Sequence, residues 1–235
     1  AAVGAVAAIA AGAAGSLALP GAALAGALGA IALVLRIGRR AGGGLDVRVL
    51  LLAGVVAGSF FNAVILLLLS FQEADAFRAA MFWMMGGLAG ASWGGVAFLA
   101  ATSAVALVGL LALARPFDLL GLGEEPAEWL GARVDAVRRA AYLGASLLAA
   151  ASVVVAGGIG FVGLVVPHVV RMTWGGDHRF LLPASFLAGA AFLPLADLAA
   201  RTVAAPGELP LGVVTAFVGV PFFVGLLRRR VGGVP

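Results

Sequence analysis

Long stretches without any charged residue constrain this chain more than any other feature. Residues 1–35, 49–72, 79–114 and 209–227 contain no Asp, Glu, Lys or Arg. A transmembrane helix needs roughly 20 apolar residues, because the hydrocarbon core is about 30 Å thick. Each of these stretches is long enough to cross that core at least once. The pattern therefore predicts an all-α protein, a bundle of helices that crosses the membrane repeatedly.

Composition supports the same fold class. Hydrophobic residues make up 63% of the chain and charged residues 11%, whereas soluble domains average about 45–50% and about 25%. So little polar surface cannot cover a globule in water, which excludes an ordinary soluble enzyme and a disordered protein. The 35 Gly fit a membrane bundle, because small residues allow helices to pack closely in lipid.

Glycine- and proline-rich breaks divide the apolar stretches into spans. The breaks fall at residues 16–21, 86–87, 94–95 and 157–160. They predict an interfacial or re-entrant piece within residues 79–91 and a single transmembrane domain over residues 1–235. The eight predicted spans lie in the two parts of residues 1–35 and in residues 49–72, 92–113, 140–156, 161–170, 180–200 and 209–227.

The distribution of arginine predicts the orientation of these spans. All 15 basic residues are Arg, and short cytoplasmic loops are enriched in basic residues. Successive connections between spans lie on opposite sides of the membrane. Apart from Arg78 and Arg201, every arginine falls in the connections of one side or in the C-terminal tail. This split supports eight crossings and predicts that the C-terminus and the first residue of the printed sequence both lie on the cytoplasmic side.

Several other functions are excluded by what the sequence lacks. A net charge of +4 without a basic stripe interleaved with aromatics does not indicate a nucleic-acid partner. The absence of Cys rules out thiolate metal sites, and His168 and His178 alone cannot hold zinc. A P-loop requires a lysine, and none is present. This sequence therefore carries no P-loop.

The longest polar segment covers residues 116–139. Its sequence predicts two short helices broken by Gly, and three glutamates near the start of the second helix suit the positive end of the helix dipole. An apolar face is offered by Leu119, Leu120, Leu122, Trp129 and Leu130. Two interpretations remain open: an amphipathic helix lying on the membrane surface, or a docking surface for a cytoplasmic partner.

Two further motifs each have a structural and a functional interpretation. Pro167 would kink a short helix that follows the glycine break, and His168 beside it is either a hydrogen-bonded structural residue or a functional group. Asp197 and Arg201 stand four residues apart and can pair on one helix face. That pair is either a helix-end salt bridge or an anchor for an extracytoplasmic partner.

Four stretches resemble the FecCD family, the permease subunits of ABC importers for iron–siderophores, haem and vitamin B12. They are GGIGFVGLVVPHVVR at 157–171, GGDHRFLLPASFLAGA at 175–190, LADLAAR at 195–201 and ELPLGVVTAFVGVPFF at 208–223. Residues 50–55, 82–93 and 119–131 also fit, so the resemblance covers essentially the whole chain. Family members usually have ten spans, so we expect the first two to be missing from the printed sequence.

The resemblance implies an assembly in the bacterial inner membrane. Two permease copies would form a central pathway through the lipid bilayer, and an extracytoplasmic substrate-binding protein would deliver the cargo. Two ATPase subunits would bind ATP and Mg, and the permease itself would need no cofactor or metal. Residues 82–87 resemble vitamin B12 permeases, but haem and siderophore importers share most of that segment, so the chelate remains open.

The resemblance also implies roles for individual residues. Arg201 and Arg78 would contact the binding protein. Ser59 and Asn62 would line the pathway, unless they serve in helix–helix hydrogen bonds. Five residues would act in gating or in structure: Gly160, Pro167, His168, Arg171 and Asp197. Residues 116–139 would form a cytoplasmic segment that we call the coupling loop. Ten of its residues would contact the ATPase: Leu119, Leu120, Gly121, Leu122, Gly123, Glu124, Glu125, Glu128, Trp129 and Gly131.

Two other classes of membrane protein fit the sequence less well. An ion-driven secondary transporter should have acidic residues at the membrane midplane or broken helices in repeated halves. A membrane-embedded enzyme should have paired carboxylates or a nucleophile and a base within its spans. The spans are poor in charge, and Asp197 near a span end has a simple partner in Arg201. Both alternatives are therefore weaker than a permease.

Overall fold

The computed structural model describes residues 1–13, 18–42, 47–203, 207 and 209–231. This part of the chain is helical and contains no β-strand, which confirms the all-α class. The helices are α1 (Ala2–Ala10), α2 (Ala18–Gly42), α3 (Val47–Ser70), α4 (Ala74–Met85), α5 (Trp93–Leu111), α6 (Ala114–Leu120), α7 (Glu124–Trp129), α8 (Val134–Ala156), α9 (Val162–Trp174), α10 (His178–Val203) and α11 (Leu211–Val231).

Among the described residues, five helices are long and apolar enough to cross a membrane: α2, α3, α5, α8 and α10. The other three predicted spans correspond to shorter apolar helical stretches. The described apolar part of α11 is Leu211–Leu226, α9 has 13 residues and α1 has 9 residues. At a rise of about 1.5 Å per residue, α9 extends about 20 Å and α1 about 14 Å, so neither crosses the whole hydrocarbon core as a straight helix.

Most of the predicted breaks are present. The long run at 140–170 divides between α8 and α9, and α4 is the short helix expected before residue 91, although it begins earlier, at Ala74. Gly94 and Gly95 do not interrupt a helix. They lie in the first turn of α5, where the Ser92 side-chain oxygen accepts a hydrogen bond from the Gly95 N–H at 3.2 Å. The break at 16–21 lies partly outside the described residues.

The packing is that of a bundle in lipid, with small residues inside and large ones outside. More than half of the buried apolar residues are Ala, whereas large side chains such as Val55, Phe60 and Leu187 are exposed. In water this arrangement would be costly, but lipid is as apolar as these side chains. α1 contacts α2, α3 and α4, and its residues Ala5 and Val6 are fully buried.

The order of contacts brings two groups of helix ends together. α8 packs against α5 and α2, and α10 packs against α9, α11 and α5. Residues from the ends of α4, α8 and α10 and from the start of α11 line one cavity, and we call this side of the bundle the cavity end. The short helices α6 and α7 contact the opposite ends of α8 and α10, which we call the loop end.

Candidate functional site

The cavity at the cavity end has a volume of about 280 Å³. Its walls are formed by residues 82–83 of α4 and 86–90 after it, by residues 155–157 at the end of α8, and by residues 209–211 at the start of α11. Asp197 and Arg201 from α10 complete the wall and are its charged members among the described residues. The cavity therefore combines an apolar lining with one carboxylate and one guanidinium.

Asp197 and Arg201 form the pair that their spacing predicts. Arg201 Nε donates a hydrogen bond to Asp197 Oδ2 at 2.8 Å, and the Asp197 side chain is only 19% exposed. The pair lies in the wall of the cavity. Arg78 is exposed on α4 but is not among the lining residues. The two predicted docking arginines are therefore not brought together in one lining.

Close backbone contacts at glycine positions hold this end of the bundle together. The Gly87 N–H donates to the Ala156 carbonyl at 2.9 Å, and the Leu211 N–H donates to the Gly86 carbonyl at 3.2 Å. A Cβ added at Gly157 would lie 2.3 Å from the Trp83 carbonyl oxygen. Only glycine allows the main chains of α4, α8 and α11 to approach this closely. These contacts fix the position of the cavity walls.

The coupling loop folds at the loop end as α6, a turn at 121–123, and α7, and its last residues form the first turns of α8. Gly123 and Gly131 adopt φ values of +117° and +84°, which L side chains rarely adopt. Ala127 is fully buried, whereas Trp129 is 84% exposed. Of the other predicted coupling residues, Gly121, Leu122, Glu124, Glu125 and Glu128 are exposed, and Leu119 and Leu120 are half-buried together with Gly123.

Two polar contacts fasten the α6–α7 pair to the membrane-spanning helices. On α6, Asp118 Oδ1 accepts hydrogen bonds from His178 Nδ1 at 2.6 Å and from the His178 backbone N–H at 3.1 Å. On α7, Glu124 forms an ion pair with Arg138 of α8. Sequence reasoning missed the Asp118–His178 contact. The partners are 60 residues apart, and no periodicity joins them.

The pKa of Asp118 is lowered in this contact. Desolvation raises the pKa of the carboxyl, but the hydrogen bonds from the His178 ring and backbone outweigh it, and the charges of His178 and Arg179 act in the same direction. The carboxylate form is therefore favoured, so it accepts and His178 Nδ1–H donates. The contact behaves as a charge-assisted hydrogen bond, which is shorter and stronger than a neutral one.

The remaining predicted residues lie along the membrane-spanning part. Ser59 and Asn62 are exposed on α3, and the Ser59 hydroxyl donates to the Val55 carbonyl of its own helix at 3.1 Å. His168 packs edge-on against Phe222 of α11, with ring centroids 6.2 Å apart. Three others have no such contact described: Gly160 is exposed in the turn before α9, Pro167 lies inside α9, and Arg171 is exposed in its last turn.

Metal-ligating side chains are dispersed in the structure. Within the described ranges, no group of three His, Asp or Glu residues comes close enough to hold a metal ion. His178 and Asp118 form the described His–carboxylate contact, and it lacks a third ligand. The chemistry available at the two ends is therefore recognition by charge and apolar contact.

Together, the apolar helices and the two structured ends define a polytopic α-helical membrane protein. The sequence profile of the FecCD transport family matches residues 1–229, and the chain belongs to that family. This confirms the resemblance of the glycine-rich and LADLAAR motifs.

Known relatives agree with the family assignment. The chain is 44% identical to the cobalamin import system permease protein BtuC of Halobacterium salinarum, over 98% of this chain and 61% of that protein. It is 40% identical to the iron(3+)-hydroxamate import system permease protein FhuB of Bacillus subtilis, over 86% of this chain and 52% of that protein. The chain thus spans about three fifths or less of the length of these relatives.

A solved structure extends the agreement to the fold. It is assigned as an inward-facing conformation of a metal-chelate type ABC transporter. The two folds match with a TM-score of 0.88 at 30% identity, over 97% of this chain and 72% of that one. The arrangement of the eleven described helices is therefore that of a helical membrane permease.

Proposed function

We propose that the full-length protein is the permease subunit of an ATP-binding-cassette importer that moves a bulky metal chelate across the membrane. The observation that carries this proposal is the α6–α7 pair at the loop end. Trp129, Leu122 and Leu130 are all at least 60% exposed there, on a rigid element fastened to two membrane-spanning helices. Exposed aromatic and aliphatic side chains of this kind favour a protein interface.

The proposed partner at the loop end is an ATPase subunit, which supplies ATP and Mg. The permease then has no cofactor of its own. Exposed arginines cluster near this end, including Arg115, Arg133, Arg139 and Arg179, and such enrichment favours the cytoplasmic side. We therefore assign the loop end and the C-terminus to the cytoplasmic side of a bacterial inner membrane.

The proposed partner at the cavity end is an extracytoplasmic substrate-binding protein. Arg201 and the exposed Arg78 are positive groups on that side, and acidic residues of the binding protein would complement them. Asp197 holds the Arg201 guanidinium by its Nε, which fixes its orientation for docking. Gly160, Pro167, His168 and Arg171 serve the packing and gating of α9.

The pathway is assigned to the exposed face of α3 and to a second permease copy. That face carries Val55, Val56 and Phe60, interrupted by the polar Ser59 and Asn62. A largely apolar wall with few polar groups suits a large chelate better than a hydrated ion. The names of the relatives include cobalamin and iron(3+)-hydroxamate permeases, and both cargoes are metal chelates.

The test is ATP-driven uptake by the full-length permease, its co-purified ATPase and its binding protein in proteoliposomes. Trp129→Ala is expected to reduce uptake at least about tenfold, because interface anchors of this type contribute about 2 kcal/mol or more. Trp93→Ala is the matched control, because Trp93 is 89% exposed at the other end of the bundle. Normal uptake by Trp129→Ala would contradict the proposal.

A panel of cargoes tests the substrate class. Cyanocobalamin, haem and a ferric hydroxamate are offered separately to the same proteoliposomes, and uptake of at least one is expected only in the presence of ATP. Uptake driven by a proton or sodium gradient without ATP would support an ion-driven transporter instead.

A further inference from the structure

The coupling loop is attached to two different membrane-spanning helices. Asp118 of α6 binds the first residue of α10 through both the ring and the backbone of His178. Glu124 of α7 pairs with Arg138 of α8. A displacement of the α6–α7 pair therefore acts on α8 and α10 together.

The same two helices reach the cavity at the other end. α8 has 23 residues and α10 has 26 residues, so they extend about 34 Å and about 39 Å. α8 ends at Ala156, which lines the cavity, and α10 contributes Asp197 and Arg201 to the same wall. Each helix thus joins the coupling loop directly to the cavity.

The contact with α10 is the more constrained of the two attachments. Two donors of His178 meet one carboxylate oxygen, and the Phe117 ring lies beside the His178 ring with centroids 5.5 Å apart. The neighbouring Arg179 N–H is satisfied by Asp177 at 2.9 Å, so Asp118 and Asp177 together cap the start of α10. By contrast, the Glu124 side chain is 62% exposed, and an exposed ion pair is held only weakly.

We propose that Asp118 and His178 are positioning residues that link the ATPase side of the transporter to its extracytoplasmic side through α10. The contact stays closed through the transport cycle, so movement of α6 is passed to the helix that bears Asp197 and Arg201. This inference rests on the proposed function, because it assumes an ATPase at the loop end and a binding protein at the cavity end. Neither residue contacts the cargo.

The test separates coupling from assembly. The full-length permease with its co-purified ATPase is placed in nanodiscs, and ATP hydrolysis is measured with and without the binding protein. Asp118→Ala and His178→Ala are expected to lower the stimulation by the binding protein at least about fivefold, the lower range of typical allosteric coupling. Basal hydrolysis and co-purification of the ATPase are expected to stay unchanged.

Matched variants show whether the contact itself is responsible. The double variant is expected to lose no more stimulation than either single variant, because both remove one shared interaction. Asp118→Asn keeps an acceptor oxygen and is expected to retain most of the stimulation. Asp135→Ala removes an exposed acid at the same end that has no side-chain hydrogen bond among the described residues, and it should behave like wild type.

A covalent replacement gives an independent measurement. The 235 residues contain no cysteine, so Asp118→Cys combined with His178→Cys introduces one reactive pair into this part of the protein. The oxidised pair is expected to retain stimulation by the binding protein, and the reduced pair to lose it. An oxidised pair that blocks stimulation, or a reduced pair that keeps it in full, would overturn the inference.

Failure of the inference is distinguishable from failure of the proposed function. If wild-type protein shows no ATP-driven uptake, the proposed function is wrong. If wild-type uptake is normal while Asp118→Ala and His178→Ala retain full stimulation, only the link through α10 is wrong. Independent losses that multiply in the double variant would also overturn the link.

Discussion

At the scale of single residues, the cavity end depends on main-chain proximity. Gly157 has a φ of +70°, and a Cβ there would lie 2.3 Å from the Trp83 carbonyl oxygen. A Cβ at Gly212 would lie 2.5 Å from the Met85 carbonyl oxygen. Backbone atoms cannot move aside as a flexible side chain can, so these two positions tolerate no larger residue without a shift of a helix.

Gly157→Ala is expected to destabilise the protein by about 1–3 kcal/mol, because overpacking adds to an unfavourable backbone conformation. The measurement is the midpoint of thermal unfolding in detergent. Gly109→Ala is the control, since a Cβ at Gly109 meets nothing within 4 Å and alanine is the better helix former. Equal midpoints for the two variants would contradict the role given to Gly157.

The lowered pKa of Asp118 predicts a dependence of stability on pH. Its contribution is fully present above the ordinary carboxyl pKa of 3.8 and is lost as the pH falls through the lowered value in the folded protein. Unfolding midpoints of wild type and Asp118→Asn should therefore differ more at about pH 6 than at about pH 3. Asp135→Asn provides the comparison, and a constant difference at both pH values would refute the prediction.

At the scale of elements, local signals in the sequence predicted most helices. Apolar runs gave the spans, and the glycines at 157–160 marked the boundary between α8 and α9, because both signals depend on neighbouring residues alone. The pairing of Asp118 with His178 depends on how distant helices pack, which periodicity does not encode. The break predicted at Gly94 and Gly95 was wrong, because glycine weakens a helix but the Ser92 cap at the start of α5 compensates for this weakening.

The attachment of α7 to the rest of the protein combines an ion pair with the burial of an alanine. The Glu124–Arg138 ion pair is exposed on the Glu124 side, whereas Ala127 in the same helix is fully buried. Glu124→Gln is expected to cost less than about 1 kcal/mol of unfolding free energy. Ala127→Leu is expected to cost about 1–3 kcal/mol through overpacking.

Thermal unfolding of both variants in detergent measures this difference. A larger loss for Glu124→Gln than for Ala127→Leu would mean that the ion pair, and not packing, holds α7 on α8. Glu125→Gln serves as the control for loss of one negative charge on the same helix, since Glu125 is exposed and has no ion pair among the described contacts.

At the scale of the whole molecule, the family and the fold were predictable from sequence because the motifs are specific and cover the chain. Orientation rests on the arginine split. The absence of Cys makes it directly testable in the 235 residues, since single cysteines at Leu122 and Thr202 lie at opposite ends of the bundle. The positions of the proposed partners and the identity of the proposed cargo depend on other molecules, so this chain does not encode them alone.

A membrane-impermeant maleimide added to intact cells is expected to label Thr202→Cys and to leave Leu122→Cys unmodified. After the membrane is opened, Leu122→Cys is expected to react, since Leu122 is 66% exposed. Labelling of Leu122→Cys in intact cells would invert the orientation and place the coupling loop outside.

Main-chain atoms join α4, α8 and α11 at the cavity end, so the side chains that line the cavity do not form this junction. Phe82, Leu88 and Leu209 line the cavity, and the hydrogen bonds described at this end use main-chain atoms and not these side chains. These three side chains can therefore be varied while the main-chain junction is left intact. A library restricted to these positions is a rational starting point for changing the shape and polarity of the cavity.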